Sequence, residues 1–556
     1  MVMNTRQRKV SGIVVFFWWT GWMCAFAAGG GLNESSTSQA VFVSKVWAAD
    51  QGDGSYKNPV LHADYSDPDV IRVGNDYYMT ASSFTSFPGL PILHSKDLVN
   101  WTLIGHAVSR YPNPDFNVPQ HGKGIWAPSI RFQDGMFFIF WGDPDSGIYR
   151  VRSVRPEGPW EEPLLILPGK GLIDPCPLWD DNGKAWLVHA WAGSRAGVKS
   201  LLTLREMDWQ ATRVSQDARH IFDGHEKHPT IEGPKFYKRD GCYYIFAPGG
   251  GVTGGWQVVL RSKDIYGPYE DRIVLHQGST PVNGPHQGGW VDTPSGQSWF
   301  LHFQDAGPYG RIIHLQPVVW KEGWPVMGTD SDGDGTGEPV LTWKKPDVGG
   351  VFPKMTPADS DEFDGDTLGL QWQWQANPNP AWFAKVRGTD YLRLFAVPLP
   401  APEANFWQVP NLLLQKFPAP DFTATAKVRL VPEQQNIRGG LVVFGDDYSA
   451  LELAVKEGTK ILRLIVCMQA ETGSREGLAA EIPIQTDTLI LRVQVSSPNA
   501  LCQFSYSLDG KEFVPAGRPF PAKPGRWVGA KVGLYCVSQA GSRAGGYLDV
   551  DWFRVE

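Results

Sequence analysis

A chain of 556 residues, 42% hydrophobic and 20% charged with a formal net charge of -7, reads as a soluble globular protein long enough for two to four domains of average size or two large all-β ones. It lacks the basic footprint of a nucleic-acid binder, and no nucleic-acid partner is expected. Aromatic content is 12%, including 24 tryptophans. Indole faces stack on sugar rings, but all-β cores favour the same residues, so composition leaves both readings open.

The first element in chain order is an address. Arg6, Arg8 and Lys9 precede an almost unbroken apolar run from Gly12 to Ala28, and Ala25-Phe26-Ala27 suits signal-peptidase cleavage. This predicts a signal peptide over residues 1–28, a secreted or periplasmic protein, and no membrane association after cleavage, because no second span of membrane length follows. Cys24 raises a lipoprotein alternative, against which Trp22 and Met23 stand where small residues are expected. Residues 29–54 carry little pattern and are expected to have low order. Cys176, Cys242, Cys467, Cys502 and Cys536 remain after the leader, odd in number and without metal-ligand spacing, so this is not a disulfide scaffold.

Residues 55–346 are dominated by an internal repeat. Segments beginning at Asp67, Ala127, Asp174, Gly233 and Gln287 each read as a short apolar strand, a turn of Asp, Asn or Gly, and an aromatic-rich strand. They recur roughly every 45 to 60 residues, close to the period of propeller blades. Ser95-Lys96-Asp97-Leu98 returns as Ser262-Lys263-Asp264-Ile265, and Gly158-Pro159-Trp160 as Gly267-Pro268-Tyr269. The amphipathic helices a βα-barrel needs are missing from the pattern. Five copies predict a five-bladed β-propeller. A Gly- and Pro-rich linker is expected over 347–357. Residues 358–556 then alternate as strands, Leu441 to Phe444 and Phe504 to Leu508 among them, and predict a β-sandwich of jelly-roll or lectin-like type.

First strands of propeller blades line the central axis, so residues at their starts converge. Asp67 opens the first unit, Asp174 the third, and Glu232 immediately precedes Gly233 in the fourth. Singly, Asp-Pro and Glu-Gly at strand starts are turn chemistry. Jointly they supply what glycosidic cleavage needs: an acid for the leaving oxygen, a base for water, and a third carboxyl to raise the acid's proton affinity. Ser66-Asp67-Pro68-Asp69, Ile173-Asp174-Pro175 and Ile231-Glu232-Gly233-Pro234 resemble the catalytic motifs of glycoside hydrolase family 43. Ser86-Phe87-Pro88-Gly89, Trp126-Ala127-Pro128 and His302-Phe303-Gln304-Asp305 are similar too. The resemblance covers residues 58–345 and continues into the sandwich, as in the β-xylosidase and α-L-arabinofuranosidase branch.

That resemblance implies an inverting mechanism with Asp67 as general base, Glu232 as general acid and Asp174 as its modulator. It further implies that Arg311 hydrogen-bonds sugar hydroxyls and that His286 lies beneath the site, with a metal there as one option. Phe87, Trp126 and Trp191 are candidate stacking walls, with blade packing the competing role for each, and Trp256 sits in a glycine-rich loop that would rim the pocket. No cofactor is required, though a structural calcium stays open. Asp330-Ser-Asp332-Gly-Asp334 lacks the twelfth-position glutamate of an EF-hand and reads as a solvated loop, while Asp364 and Asp551 are a candidate pair for calcium in the sandwich. The expected substrates are terminal α-L-arabinofuranosyl or β-D-xylosyl units of plant cell-wall glycans. Two rivals stand beside this reading. A non-catalytic glycan-binding protein would not need all three acids. A retaining fructosidase-like enzyme would carry a Trp-Met-Asn-Asp-Pro-Asn-Gly motif, where this chain has Ala63-Asp-Tyr-Ser-Asp-Pro-Asp69.

Overall fold

The structure is a computed structural model that describes residues 42–385, 389–432, 436–542 and 545–556. The expected signal peptide lies outside the described residues. Five four-stranded antiparallel sheets follow in chain order, opening on Asp69–Val73, Trp126–Gln133, Leu172–Trp179, Lys235–Arg239 and His286–Asp292, and the last closes on Trp324–Met327. Each blade is a meander of four consecutive strands. Turns at Gly74-Asn75, Asp134-Gly135 and Asp240-Gly241 close three of the inner hairpins, as their residue types predict.

Neighbouring blades share separate apolar cores, which is why the repeats close into a ring. Val70 packs in one core with Leu301 of blade five; Ile92 with Ile139; Phe140 with Leu187; Val188 with Ile245; and Phe246 with Phe300. Met136–Asp143, buried almost throughout, reads as a continuous apolar run because both its faces are covered. Phe246→Ala, in the core between blades four and five, is expected to cost about 3–5 kcal/mol, measured by urea unfolding.

Ring closure uses chain outside the blades. Ser55–Lys57 pairs antiparallel with Thr342–Lys344, and Leu61 forms a bridge with Ile313 of blade five. The Asn58 amide donates to the carbonyls of Leu315 and Val340.

The described part of the N-terminal segment, residues 42–54, is not of low order. Ser44 N–H donates to Thr356 Oγ1 and its hydroxyl to Asp359, while Asp50 accepts from Asn100 and Lys345. Three of these four partners, Thr356, Asp359 and Lys345, lie about 300 residues away in sequence, a kind of order that hydrophobic periodicity does not reveal. The expected linker is likewise engaged, since Met355 N–H donates to Asn100 Oδ1.

The sandwich runs from Gln373–Trp374 to Gly546–Val555 in two eight-stranded sheets. Along Thr488–Ser496, Leu489, Leu491, Val493 and Val495 turn inward while their neighbours are more exposed, the two-residue period of a sheet with one covered face. It docks on the propeller by specific bonds: Phe87 and Trp374 exchange backbone hydrogen bonds, Lys531 Nζ donates to Ser86 Oγ, and His121 stacks on Trp407 at 3.6 Å. Cys176, Cys242, Cys467, Cys502 and Cys536 are all free thiols.

Candidate active site

The five repeat starts share a backbone feature. Asp67, Ala127, Asp174, Gly233 and Gln287 all have positive φ, between 24° and 58°, at the step into the inner strand. Four are not glycine, and such conformations persist only where surrounding structure enforces them, often at functional sites. Asp67 and Asp174 are therefore strictly equivalent. Glu232 stands one position earlier, where blade five has His286, and Gly233 takes the equivalent place. A side chain at Gly233 would collide with Gln287, its Cβ falling 2.4 Å from Gln287 Cγ.

These starts meet at a pocket with about 510 Å³ of free space, mouth included. Asp67, Asp174, Glu232, Gln287 and Arg311 supply its polar wall; Phe84, Trp126, Ala127, Ile173, Val252 and Trp527 supply its apolar wall. A few convergent polar groups in a largely apolar cleft fit a small-ligand site.

Three donors converge on Asp67. Ser66 and Ser82 hydroxyls donate to Oδ2 at 2.9 and 2.7 Å, and Arg311 Nη1 donates to Oδ1 at 2.9 Å. Ser82 Oγ in turn accepts from Ala127 N–H, and the Arg311 guanidinium lies over the Phe303 ring, so both partners are themselves held in place. Asp174 accepts from Gly233 N–H at 2.7 Å and from the Gln287 amide at 3.3 Å.

Burial raises the Glu232 carboxyl well above the ordinary glutamate range, and the charges of Asp174 and then Asp67 push it further. About 30% of its side chain is open to solvent, and pocket water tempers the burial contribution. Burial also raises Asp174, but the Gly233 N–H bond favours its charged form. Of the pair, Glu232 is the one that keeps the proton.

Of the sugar-binding candidates, Arg311 and Trp126 line the pocket, and the others do not. Phe87 is fully buried against Tyr111 and Phe116 beneath the docked sandwich; Phe84, three residues earlier, lines the pocket instead. Trp191 turns to the Thr203 hydroxyl, and Trp256 donates to His228, while Val252 of the same loop reaches the wall. His286 is buried with neither ring nitrogen hydrogen-bonded; its Nε2 lies 3.8 Å from Glu232, and burial together with the Arg311 charge lowers its pKa to about 3.

Among the described residues, a carboxylate group spaced for a metal occurs at Asp330, Asp332 and Asp334, where Lys321 already pairs with Asp330; His286 belongs to no such group. Asp551 pairs with Lys427 and forms no ligand group with Asp364. Sequence reasoning missed Phe84, Gln287 and Trp527. Gln287 opened a recognised repeat and was open to detection; Trp527 had no signal, because the sandwich brings it in.

Residues 56–325 match the family described as Glycosyl hydrolases family 43, and residues 360–556 match the Beta xylosidase C-terminal Concanavalin A-like domain. A beta-xylosidase of Formosa agariphila is 33% identical across 91% of each chain. A non-reducing end alpha-L-arabinofuranosidase of Bacteroides ovatus, BoGH43B, is 31% identical over 72% of this chain and 76% of its own. Among solved structures, the xylan beta-1,4-xylosidase of Bacillus halodurans C-125 superposes with a TM-score of 0.78 at 25% identity, over 90% of this chain and 99% of its own. A five-bladed propeller with three carboxyl groups at its axial pocket, a docked β-sandwich, and these likenesses agree: the chain belongs to glycoside hydrolase family 43.

Proposed function

We propose that this glycoside hydrolase is an inverting, exo-acting enzyme that releases single β-D-xylosyl or α-L-arabinofuranosyl units from non-reducing ends of plant cell-wall glycans. The observation that carries the reading is the meeting of Asp67, Asp174 and Glu232, from three different blades, in one pocket walled by aromatic rings. Glu232 donates its proton to the departing glycosidic oxygen. Asp67, held by Arg311 and two serines, takes a proton from the water that attacks the anomeric carbon from the opposite face. Asp174 keeps the proton on Glu232 by its negative charge.

Exo action is supported by Trp527, which the sandwich inserts beside Trp126, their rings 6.3 Å apart. Such a wall favours one terminal sugar over a continuous chain. The names of the relatives, one a xylosidase and another an arabinofuranosidase, support both pentoses. A panel of para-nitrophenyl glycosides is expected to show activity on the β-D-xyloside, the α-L-arabinofuranoside or both, with hexosides at least about 100-fold poorer in kcat/KM, since extra groups must fit a packed pocket. Proton NMR of an early β-xyloside reaction is expected to show α-xylose first; β-xylose as the first product overturns the inverting assignment.

A further inference from the structure

We infer that Asp64 is a positioning residue: it latches the Trp527 loop of the sandwich onto Arg311, so that domain docking sets the outer wall of the pocket. The inference rests on the proposed glycosidase reading for its kinetic consequences, though not for its geometry.

Asp64 is buried, precedes Asp67 by three residues, and does not line the pocket. Its two oxygens face different domains. Oδ1 accepts Arg311 N–H and Oδ2 accepts Gly529 N–H, each at 2.9 Å. A single carboxylate thus spans the arginine that holds Asp67 and a sandwich loop two residues beyond Trp527. Hydrogen bonds from backbone N–H to an ionised acceptor are among the stronger ones, and leaving either donor buried without a partner is costly.

The backbone around this carboxylate is shaped for the contact. A Cβ on Gly310 would lie 2.5 Å from Asp64 Cγ, and one on Gly529 would lie 2.7 Å from Gly310 N. Both positions need glycine for the three segments to close. Beside them Ala530 N–H donates to the Pro308 carbonyl at 2.8 Å, a second link along the same seam. Trp527 itself has a φ of 66°, an unfavourable state for a bulky residue that its surroundings must hold. Loss of the latch therefore lets the indole leave the wall it forms with Trp126.

Asp64→Asn keeps the size of the side chain but turns an N–H₂ toward one of the two donors. The variant is expected to lower kcat/KM on an aryl xyloside or arabinofuranoside about tenfold, carried by KM with kcat within about threefold, because a displaced binding wall weakens ground-state and transition-state binding alike. Gly529→Ala displaces the same loop by steric clash and should behave alike. In a Trp527→Ala background, Asp64→Asn should change kcat/KM by less than about threefold; fully multiplicative effects overturn the latch. Hydrogen exchange of the full-length protein supplies a readout independent of catalysis. Asp64→Asn should raise exchange in residues 523–530 while Lys531–Ser538 stays protected, and unchanged exchange in the loop overturns the inference. Faster loop exchange in a protein whose wild type hydrolyses none of the glycosides upholds the latch and overturns the proposed function instead.

Discussion

Glu232→Gln is expected to lower kcat/KM about 10³-fold on a disaccharide or oligosaccharide substrate, and much less on an aryl glycoside whose phenolate departs without a proton. Glutamine matches the shape of the side chain but has no proton to give to the leaving oxygen. The wild-type rate should fall as pH rises through the raised pKa of Glu232, and that basic limb should vanish in the variant on the activated substrate. Wild-type stability follows the same direction with pH. Between the ordinary glutamate pKa and the raised folded one, the folded protein binds more protons than the unfolded chain, so wild-type stability declines as pH rises through this window. Removing the carboxyl removes the decline, and the variant should be more stable than wild type near pH 8 by about 1 kcal/mol or more, read from paired urea titrations at pH 5 and pH 8. Equal loss on both substrate types, with the basic limb intact, sinks the acid assignment.

Asp67→Asn is expected to be the more severe change, about 10⁴-fold on every substrate regardless of leaving group, because water must be deprotonated whichever oxygen departs. The amide retains the volume of the carboxyl but turns an N–H₂ toward one of the donors Ser66, Ser82 and Arg311 and removes the counter-charge of Arg311, so a melting temperature several degrees below wild type is expected. The charge of Asp67 also helps hold the proton on Glu232. Residual activity in Asp67→Asn should therefore show its basic limb at lower pH than wild type. More than a tenth of wild-type activity on the aryl substrate, reproduced in a second independent preparation, removes Asp67 from the mechanism.

What the sequence disclosed follows from the range of the forces involved. The propeller was legible because its determinants are local: hairpin turns, the repeated step into each inner strand, and apolar runs that neighbouring blades cover. Asp67 and Asp174 were legible for the same reason, being the same position in two copies of one unit. Phe84 was not. It sits at a φ of 51°, which an aromatic residue seldom adopts, and that reversal turns it to the pocket while Phe87 is claimed by backbone bonds to Trp374. Trp527 is set by docking between domains hundreds of residues apart, and the 42–54 strap by a few polar anchors and isolated apolar contacts such as those of Trp47 and Ala49. Neither leaves a periodic trace.

The bond between Arg311 and Asp67 joins residues 244 apart in the chain. During synthesis at about 5–20 residues per second, blade one leaves the ribosome roughly 10–50 s before the arginine that completes its carboxylate. The edge of the first sheet must wait that long for the fifth, and the loop carrying Trp527 arrives later still. The pocket is consequently among the last parts of the molecule to be assembled, and a nascent chain interrupted before blade five carries Asp67 with Ser66 and Ser82 but without Arg311.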